Sequence, residues 1–410
     1  MSVLTETKLN TFLSKLNLDI NTNAQKEALQ ALENLDFPTT RDEYYKYTRL
    51  NKIANADLTV GHETHHYPAI KDVLVSKQFV VIENGVFRAD VSSFALSEVA
   101  VNIETISEFS ETTAKKDDLF QLLNIAGNHQ TVFITIPEDT QWDEKVQVIF
   151  INTEKDIITN THLVIETGKG AEGHVITNFI STADGPSFSN HFTEVQVAEN
   201  AHIKLDKIQT GDGWYVATEN VQQAANSSFK INTITLKGDI VRNNLNIEVG
   251  GENCETFLNG AVLTKNNQLV DNHTFVNHLV SNCMSDENYK YVLDGKSTGV
   301  FNGRVIVQQD AQKINAYQQN GNVLLSDFAK INSKPELEIY ADDVKCSHGS
   351  TTGQLDDDAL FYLQTRGISK QKARNILVSA FAGEVFDAIE DQKLADYVNG
   401  VLHKEFGWTN

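Results

Sequence analysis

The sequence predicts a mainly β protein with α-helical parts at both ends, and its central strands fit either a β-solenoid or a β-sandwich. From about Val132 to Val344, short β-branched runs such as Val146–Ile151 alternate with polar residues, as β-strands do. Small-residue corners precede these runs, and four of them are Gly170-Ala171, Asn200-Ala201, Asn226-Ser227 and Asn253-Cys254. Their second members lie 30, 26 and 27 residues apart, which is typical of stacked coils. The period favours a solenoid but does not exclude a sandwich.

The N-terminal part, residues 1–130, reads as a helical or mixed domain. Residues from about 5 to 55 are predicted to be helical, because apolar residues recur at helical spacing, at Leu9, Phe12, Leu13 and Leu16. A second amphipathic stretch from Ala24 to Leu35 ends before Pro38, which stops helices. Further on, Asn84-Gly85 predicts a hairpin and Leu119–Ile125 a short helix. The strand-rich core would then occupy residues 131–350.

The C-terminal part, residues 351–410, returns to a helical pattern. Asp356 to Asp358 would sit at the positive end of a helix dipole, ahead of the segment Ala359–Thr365. Gly367 favours a helix stop, and Ser369 can cap the next helix. That helix carries one apolar stripe, formed by Ala373, Ile376, Leu377, Ala380 and Phe381. Such a stripe is more often core than interface, although a terminal helical pair has less core to join.

Composition excludes several classes of function. The 410 residues include 55 acidic and 34 basic side chains, for a net charge of −21, and nucleic-acid binding needs a basic face. The three cysteines are too few for a disulfide framework and fit a reducing compartment. No apolar run reaches the ~18–20 residues of a membrane span, and the first residues carry no secretory or transit pattern. We therefore expect a cytoplasmic protein that binds neither nucleic acid nor membrane.

Three short motifs resemble known sites but lack the required context. His62–His66 matches the zinc motif H-E-x-x-H, yet Gly61 and Pro68 flank it, so the necessary helix is not expected. Gly168–Gly173 matches a dinucleotide fingerprint but leads into a strand-like run instead of a helix. Gly295–Ser297 resembles the end of a P-loop without its first glycine. Any ATP dependence should therefore come from a partner.

Cys346 and His348 are the candidate site residues. They stand two positions apart, near the point where a strand pattern gives way to helix, and residues i and i+2 of a strand share a face. Thiolate and imidazole together suit iron, zinc or iron–sulfur chemistry. Two ligands do not by themselves make a metal site, so the alternative is a half-buried cysteine beside a surface histidine.

Several long segments around this pair occur in an order that resembles a known family. They are Leu293–Val305, Leu324–Asp327, Glu336–Gly353 and Gly353–Ile368, with a weaker match at Phe37–Thr48. The chain resembles the SufB/SufD family of iron–sulfur cluster assembly proteins. SufB-type chains carry a cysteine where this chain has Gln319-Asn320-Gly321, and Glu-His-Glu where it has Ser347-His348-Gly349. The pattern is therefore most like the SufD branch of the family.

The resemblance implies both a fold and a role. The implied fold is a right-handed parallel β-helix, which decides between solenoid and sandwich. The implied role is a non-enzymatic scaffold that assembles a transient iron–sulfur cluster at its interface with a SufB-like paralogue, with no cofactor stably bound alone. Cys346 and His348 would be transient iron or cluster ligands. A SufC-like ATPase would dock on the C-terminal helices, at Phe361, Ile376, Leu377 and Phe381. The isolated chain could also form a homodimer.

A second class of function stays open at this point. Right-handed β-helices often host carbohydrate-active hydrolases or lyases, and a fold does not imply a function. Such an enzyme would need carboxylates clustered on one face, which the sequence cannot place. A neighbouring reading frame that encodes a P-loop ATPase would favour cluster assembly.

Overall fold

The computed structural model describes residues 7–63, 70–94 and 100–407. Its helices are α1 (Lys8–Leu16), α2 (Asn23–Leu32), α3 (Asn51–Ala54), α4 (Leu119–Gly127), α5 (Asp357–Thr365), α6 (Lys370–Asp387) and α7 (Gln392–Phe406). The first strands are β1 (Thr59–Val60), β2 (Gln78–Glu83), β3 (Val86–Phe87), β4 (Ala100–Glu104), β5 (Thr131–Ile136), β6 (Gln141–Asn152), β7 (Ile157–Thr167), β8 (Glu172–Ser181), β9 (Phe188–Val197) and β10 (His202–Gln209). The others are β11 (Trp214–Gln223), β12 (Ser228–Thr235), β13 (Ile240–Val249), β14 (Glu255–Thr264), β15 (Leu269–His278), β16 (Met284–Leu293), β17 (Thr298–Val307), β18 (Ile314–Leu324), β19 (Lys330–Ile339) and β20 (Val344–Gly353).

Two long parallel sheets form the body of the protein. Sheet I runs β19-β17-β15-β13-β11-β9-β7-β5-β4, and sheet II runs β20-β18-β16-β14-β12-β10-β8-β6-β2-β3. Successive strands from β5 onward alternate between the two sheets, so each coil of the chain contributes one strand to each. About eight such turns stack upon one another. The structure thus confirms the predicted β-solenoid, because a sandwich would pair its strands antiparallel.

The structure confirms the predicted corners, and their regular positions account for the spacing of 26–30 residues in the sequence. One column of corner residues has a positive φ between 57° and 66°, at Gly170, Asn200, Asn226, Asn253 and Asn282. Asparagine tolerates this left-handed conformation better than most residues. The next residue in each corner is small and buried, at Ala171, Ala201, Ser227, Cys254 and Cys283. Each corner also bonds to the next coil, for example through Asn226 N–H to Glu252 O at 2.8 Å.

Helices cover the outer faces of both sheets. The N-terminal helices pack on sheet I, where the rings of Phe120 and Phe188 meet edge to face at 6.2 Å. Helices α6 and α7 pack on sheet II, where Leu394, Val398 and Leu402 join an apolar cluster with residues of β12 and β14. A separate cluster fills the space between the two sheets. In the described residues, no helix is long and apolar enough to cross a membrane.

Ion pairs also fasten the C-terminal helices to sheet II. Lys145 pairs with Asp391, Lys230 with Glu390 at 2.6 Å, and Lys265 with Glu405 at 2.9 Å. Acidic residues of α7 and of the short segment before it thus meet lysines that project from the solenoid.

Most local expectations are met. Asn84 and Gly85 have positive φ and join β2 to β3 in an antiparallel hairpin, and α4 lies where a short helix was predicted. The prediction of helix throughout residues 5–55 was too broad, since between α2 and α3 the chain forms only turns and the short 3-10 segment Glu43–Tyr45.

The structure can be compared with the three short motifs that lacked the required context in the sequence. Gly168–Gly173 leads into β8 and Gly295–Ser297 lies in the turn before β17, so neither opens a helix. Residues 64–66 of the H-E-x-x-H motif lie outside the described residues.

The two ends of the solenoid differ. At the N-terminal end, antiparallel pairing of β2 with β3 and of β4 with β5 closes the stack. At the C-terminal end, β19 and β20 are the last strands of their sheets, and no described strand pairs with their outer edges. Strand β20 runs to Gly353, so the solenoid extends slightly beyond the predicted boundary at residue 350.

Gly260 tests the packing of the solenoid interior. It lies beside Tyr289 of the next coil, and a methyl group at this position would overlap the Tyr289 ring. Gly260→Ala should therefore destabilise the protein by about 1–3 kcal/mol, as overpacked cores do. The midpoint of urea unfolding measures this.

The matched control is Gly400→Ala on the exposed side of α7, where nothing lies within 4 Å of the added methyl. Alanine should raise stability there by up to about 1 kcal/mol. Equal midpoints for the two variants would contradict the tight packing described.

Candidate functional site

Cys346 and His348 lie in the last strand of the solenoid. Both belong to β20 and share one face of it, because they are two residues apart. Cys346 packs against the cluster between the sheets, so this face points into the solenoid. The sequence had indicated that the strand gives way to helix near these residues. In the structure the strand continues past them, and α5 begins only at Asp357.

The open end determines the exposure of this pair. Because no described coil follows β20, His348 is exposed and Cys346 only half-buried. Partial burial raises the pKa of the Cys346 thiol above its ordinary value. The cysteine is therefore a protonated thiol at neutral pH in the chain alone, and it would need a metal or a cationic partner to become a thiolate.

The register places two further polar residues behind His348. Successive strands of sheet II put Leu205, Ile231 and Leu258 at one inward position. The same position is then taken by Glu287, Gln318 and His348. We call these last three residues the polar column. The position changes from apolar to polar only in the final coils, next to the open end.

Glu287 forms the buried base of the polar column. Its side chain is about 1% exposed, and one carboxyl oxygen accepts a 2.6 Å hydrogen bond from Gln318 Nε2. The other oxygen, Oε1, has no hydrogen-bond partner among the described residues. Burial is the main cause that raises the pKa of Glu287 to about 7. Burial therefore favours the neutral form of this carboxyl much more than exposure to water would.

A second polar group braces the last coil. Asn320 Oδ1 accepts hydrogen bonds from Ser333 Oγ at 2.7 Å, from Asn322 Nδ2 at 2.7 Å and from Ser350 Oγ at 3.2 Å. Ser333 and Ser350 also lie 2.8 Å apart and belong to β19 and β20. These contacts join the two terminal strands across the solenoid interior, so the open end is ordered by its own hydrogen bonds.

The residues predicted to dock an ATPase fall into two groups. Phe361 on α5 is 68% exposed and Ile376 on α6 is 37% exposed. Leu377 is half-buried. Phe381 instead packs toward sheet II, where the Lys290 ammonium lies 5.4 Å from its ring centroid. The face of α6 that is fully buried consists of Ala373, Val378, Ala382 and Val385.

The other two cysteines occupy structural positions. Cys254 and Cys283 are buried thiols that form no disulfide, and both donate to Gly251 O, at 3.1 and 3.2 Å. They continue the column of small corner residues described above. Among the described residues, no group of three or more His, Cys, Asp or Glu side chains is arranged to hold a metal ion. Cys346 and His348 therefore form an incomplete ligand set.

Comparison with known proteins decides the family. The model of the SufBD core domain, described as SUF system FeS cluster assembly, matches residues 149–381, which is more than half of the chain. The chain belongs to the SufBD family. An iron–sulfur cluster assembly SufBD family protein of Synechocystis is 28% identical over 399 residues, which are 90% of this chain and 87% of that protein.

Two further relatives of this SufBD protein are informative. The iron–sulfur cluster assembly protein SufD of Escherichia coli is 34% identical over 236 residues, or 57% of this chain and 56% of that protein. The chloroplastic protein ABCI7 of Arabidopsis thaliana is 26% identical over 400 residues, or 91% and 84% of the two chains. The resemblance found in the sequence motifs is thereby confirmed.

Sequence reasoning missed Glu287 and Gln318 in this SufBD protein. A signal for them was present, since Glu287 lies five residues after the corner at Asn282, and Gln318 five after the positive-φ residue Lys313. Extending the corner period through the last coils would have placed both residues in the column of His348.

The pH dependence of stability tests the burial of Glu287. Its raised pKa means that the folded protein binds a proton that the unfolded chain releases between about pH 4.5 and 7. Stability should therefore fall as pH rises through this window. Glu287→Gln cannot ionise, so at pH 8 it should be more stable than the parent by up to about 3 kcal/mol, with little difference at pH 4.5.

Urea unfolding at the two pH values measures this, with the exposed Glu252→Gln as control. A Glu287→Gln variant that lost stability between pH 4.5 and 8 as steeply as the parent would contradict the assignment.

Proposed function

We propose that this SufBD protein is a non-catalytic scaffold subunit of an iron–sulfur cluster assembly complex, and that the cluster forms at the open end of its solenoid. The observation that carries the proposal is the inward face of β20, which presents Cys346 and His348 where none of the described coils covers them. The family and its SufD-named relative support the same role.

The partner at this end would be a SufB-like paralogue. Uncovered edge strands are a liability that proteins usually shield, and repeat proteins need closing units at both ends of the stack. Here the N-terminal end is closed by antiparallel pairs, whereas no strand in the described ranges closes the C-terminal end. A related solenoid that stacked on β19 and β20 would cover both edges. A second copy of this chain could do the same in isolation, which would give a homodimer.

The ligand set suits a transient cluster as cargo. Thiolate and imidazole both bind iron, but this chain supplies only one of each at the site. The partner would have to supply the rest, so the cluster would be held at the interface and could leave when the complex rearranges. The isolated chain would bind no stable cofactor.

The ATPase would dock on the first two C-terminal helices. Helix α5 contains no buried residue, whereas α6 and α7 both contribute to the cluster on sheet II. Phe361, Tyr362 and Ile376 thus give α5 and the start of α6 an uncovered apolar surface. A SufC-like ATPase would fit the need for an outside source of ATP hydrolysis.

The carbohydrate-active alternative gains no support. Three carboxylates on the outer faces of the sheets are buried and bound to basic side chains, with Glu194 on His162, Asp206 on His174 and Asp271 on Arg242. They serve packing under the flanking helices. A cytoplasmic location stays a prediction from composition.

Substitution of the site residues tests the assembly role. His348→Ala should abolish or strongly reduce the iron and sulfide bound by a reconstituted complex with SufB-like and SufC-like partners. Cys346→Ser should cause a smaller loss, because the partner can supply a thiolate. Both residues lie at the uncovered end, so neither change should alter stability by more than about 1 kcal/mol.

Iron and sulfide analysis of the purified complexes is the measurement. A His348→Ala complex with the parent's cluster content would remove this site from the mechanism.

Docking of the ATPase can be tested with two similarly exposed phenylalanines. Phe361→Ala should weaken co-purification of the SufC-like ATPase at least ~10-fold, because exposed aromatic side chains often dominate an interface. Phe328→Ala is the control, since Phe328 is 66% exposed but belongs to the loop before β19 and not to a helix.

Both variants should fold normally. Equal ATPase binding by Phe361→Ala and the parent would place the docking surface elsewhere.

A further inference from the structure

The interior of the solenoid directly behind the candidate site contains an unsatisfied polar group. Gln318 is about 1% exposed, and its amide nitrogen donates to Glu287 at 2.6 Å. When Glu287 is ionised it can only accept, so this bond then directs the amide nitrogen of Gln318 toward Glu287. Its carbonyl oxygen, Oε1, has no hydrogen-bond partner among the described residues. A buried carbonyl without a donor costs free energy, so a partner is expected to be close.

His348 is a neighbour that can supply this donor. It pairs with Gln318 in register on the next strand, and adjacent strands lie about 4.8 Å apart. In the part of the chain that the structure describes, the His348 ring makes no hydrogen bond of its own. A neutral imidazole always has one N–H to donate. The Gln318 carbonyl oxygen therefore lacks a donor, and the His348 N–H lacks an acceptor.

We propose that Gln318 is a positioning residue for His348. Its carbonyl oxygen accepts the N–H of the imidazole, and Glu287 holds the amide in the orientation that makes this possible. The hydrogen bond selects one tautomer and leaves the other ring nitrogen free to bind iron. Histidines that bind metals commonly donate their second ring nitrogen in this way, which fixes the ring and raises its basicity.

Gly303 supports this assignment from the opposite sheet. It lies on β17, facing the interior, and any side chain there would collide with the Gln318 amide nitrogen. Its φ is not positive, so backbone conformation does not require glycine at this position. Glycine is needed at position 303 because it leaves room for the Gln318 amide. The Gln318 amide nitrogen therefore lies between the Glu287 carboxyl group and Gly303, and a larger residue at 303 would displace it.

The functional part of this inference rests on the proposed function, but the hydrogen bond can be tested without it. The isolated full-length chain is labelled with ¹⁵N-histidine, and the His348 signals are assigned by their loss in His348→Ala. The ring ¹⁵N shifts are then recorded at pH 8. We expect the parent to show one dominant tautomer of His348. Gln318→Met keeps the volume and removes the amide, and it should show exchange between both tautomers.

Gln209→Met is the matched control. Gln209 is also a buried glutamine on an inward face of sheet II, where it bonds to Thr235 and Asn243, but it lies five strands away from β20. The Gln209→Met substitution should leave the His348 signals unchanged. Unchanged His348 signals in Gln318→Met would overturn the proposal. If Gln318→Met does not fold, the spectrum of the parent protein is the test. A parent His348 ring that exchanges between both tautomers would also overturn the proposal.

Cluster content then tests the functional part. In the reconstituted complex, Gln318→Met should bind at least ~10-fold less iron and sulfide than Gln209→Met, which is the usual scale for loss of a group that orients a ligand. Parent-like content despite a changed tautomer would show that the hydrogen bond exists but does not serve assembly. Parent-like content in His348→Ala would instead reject the proposed function and leave the tautomer result standing.

Discussion

The structure depends on one constraint, which is that each coil must stack in register on the coil before it. In-register stacking places equivalent residues in columns, so a residue's neighbours along the stack are set by positions about 30 residues away. The corner column with its left-handed asparagines keeps this spacing. A residue in the middle of the stack is covered on both sides. A residue in the last coil is covered on one side only, and this asymmetry exposes Cys346 and His348.

The same constraint explains how the site is built. Inside the stack, an inward position must be apolar or fully paired, as Leu258 is at the position that Glu287 takes one coil later. The polar column breaks this rule only in the last three coils. Burying a carboxyl and an amide there costs stability, and the raised pKa of Glu287 is one expression of that cost. Such a cost at the edge of a site is typical of residues retained for function.

Sequence reasoning predicted much of this arrangement. The corners at Asn200, Asn226 and Asn253 revealed the coil period because a left-handed turn restricts residue type. The pairing of Cys346 with His348 on one face followed from strand geometry. The motifs shared with the SufB/SufD family then decided between solenoid and sandwich.

Other features depended on contacts that the sequence does not display. The stripe on α6 suggested that Phe381 faces a partner, whereas the ring packs toward sheet II, because the helix lies flat on that sheet. Glu287 and Gln318 were missed because their significance comes from stacking on His348, through residues about 30 and 60 positions apart. A window of ten or twenty residues shows the distance of each residue from its corner, but it does not show which residues of other coils stack on it.

The central claim is that the uncovered last coil is the functional surface of this protein. Hydrogen exchange of the backbone amides, with and without a SufB-like partner, tests it most directly. The account predicts that partner binding slows exchange chiefly in β19 and β20, whose outer edges are unpaired in the described chain. Protection confined to the N-terminal helices or to the outer faces of the sheets, with β20 unchanged, would contradict it.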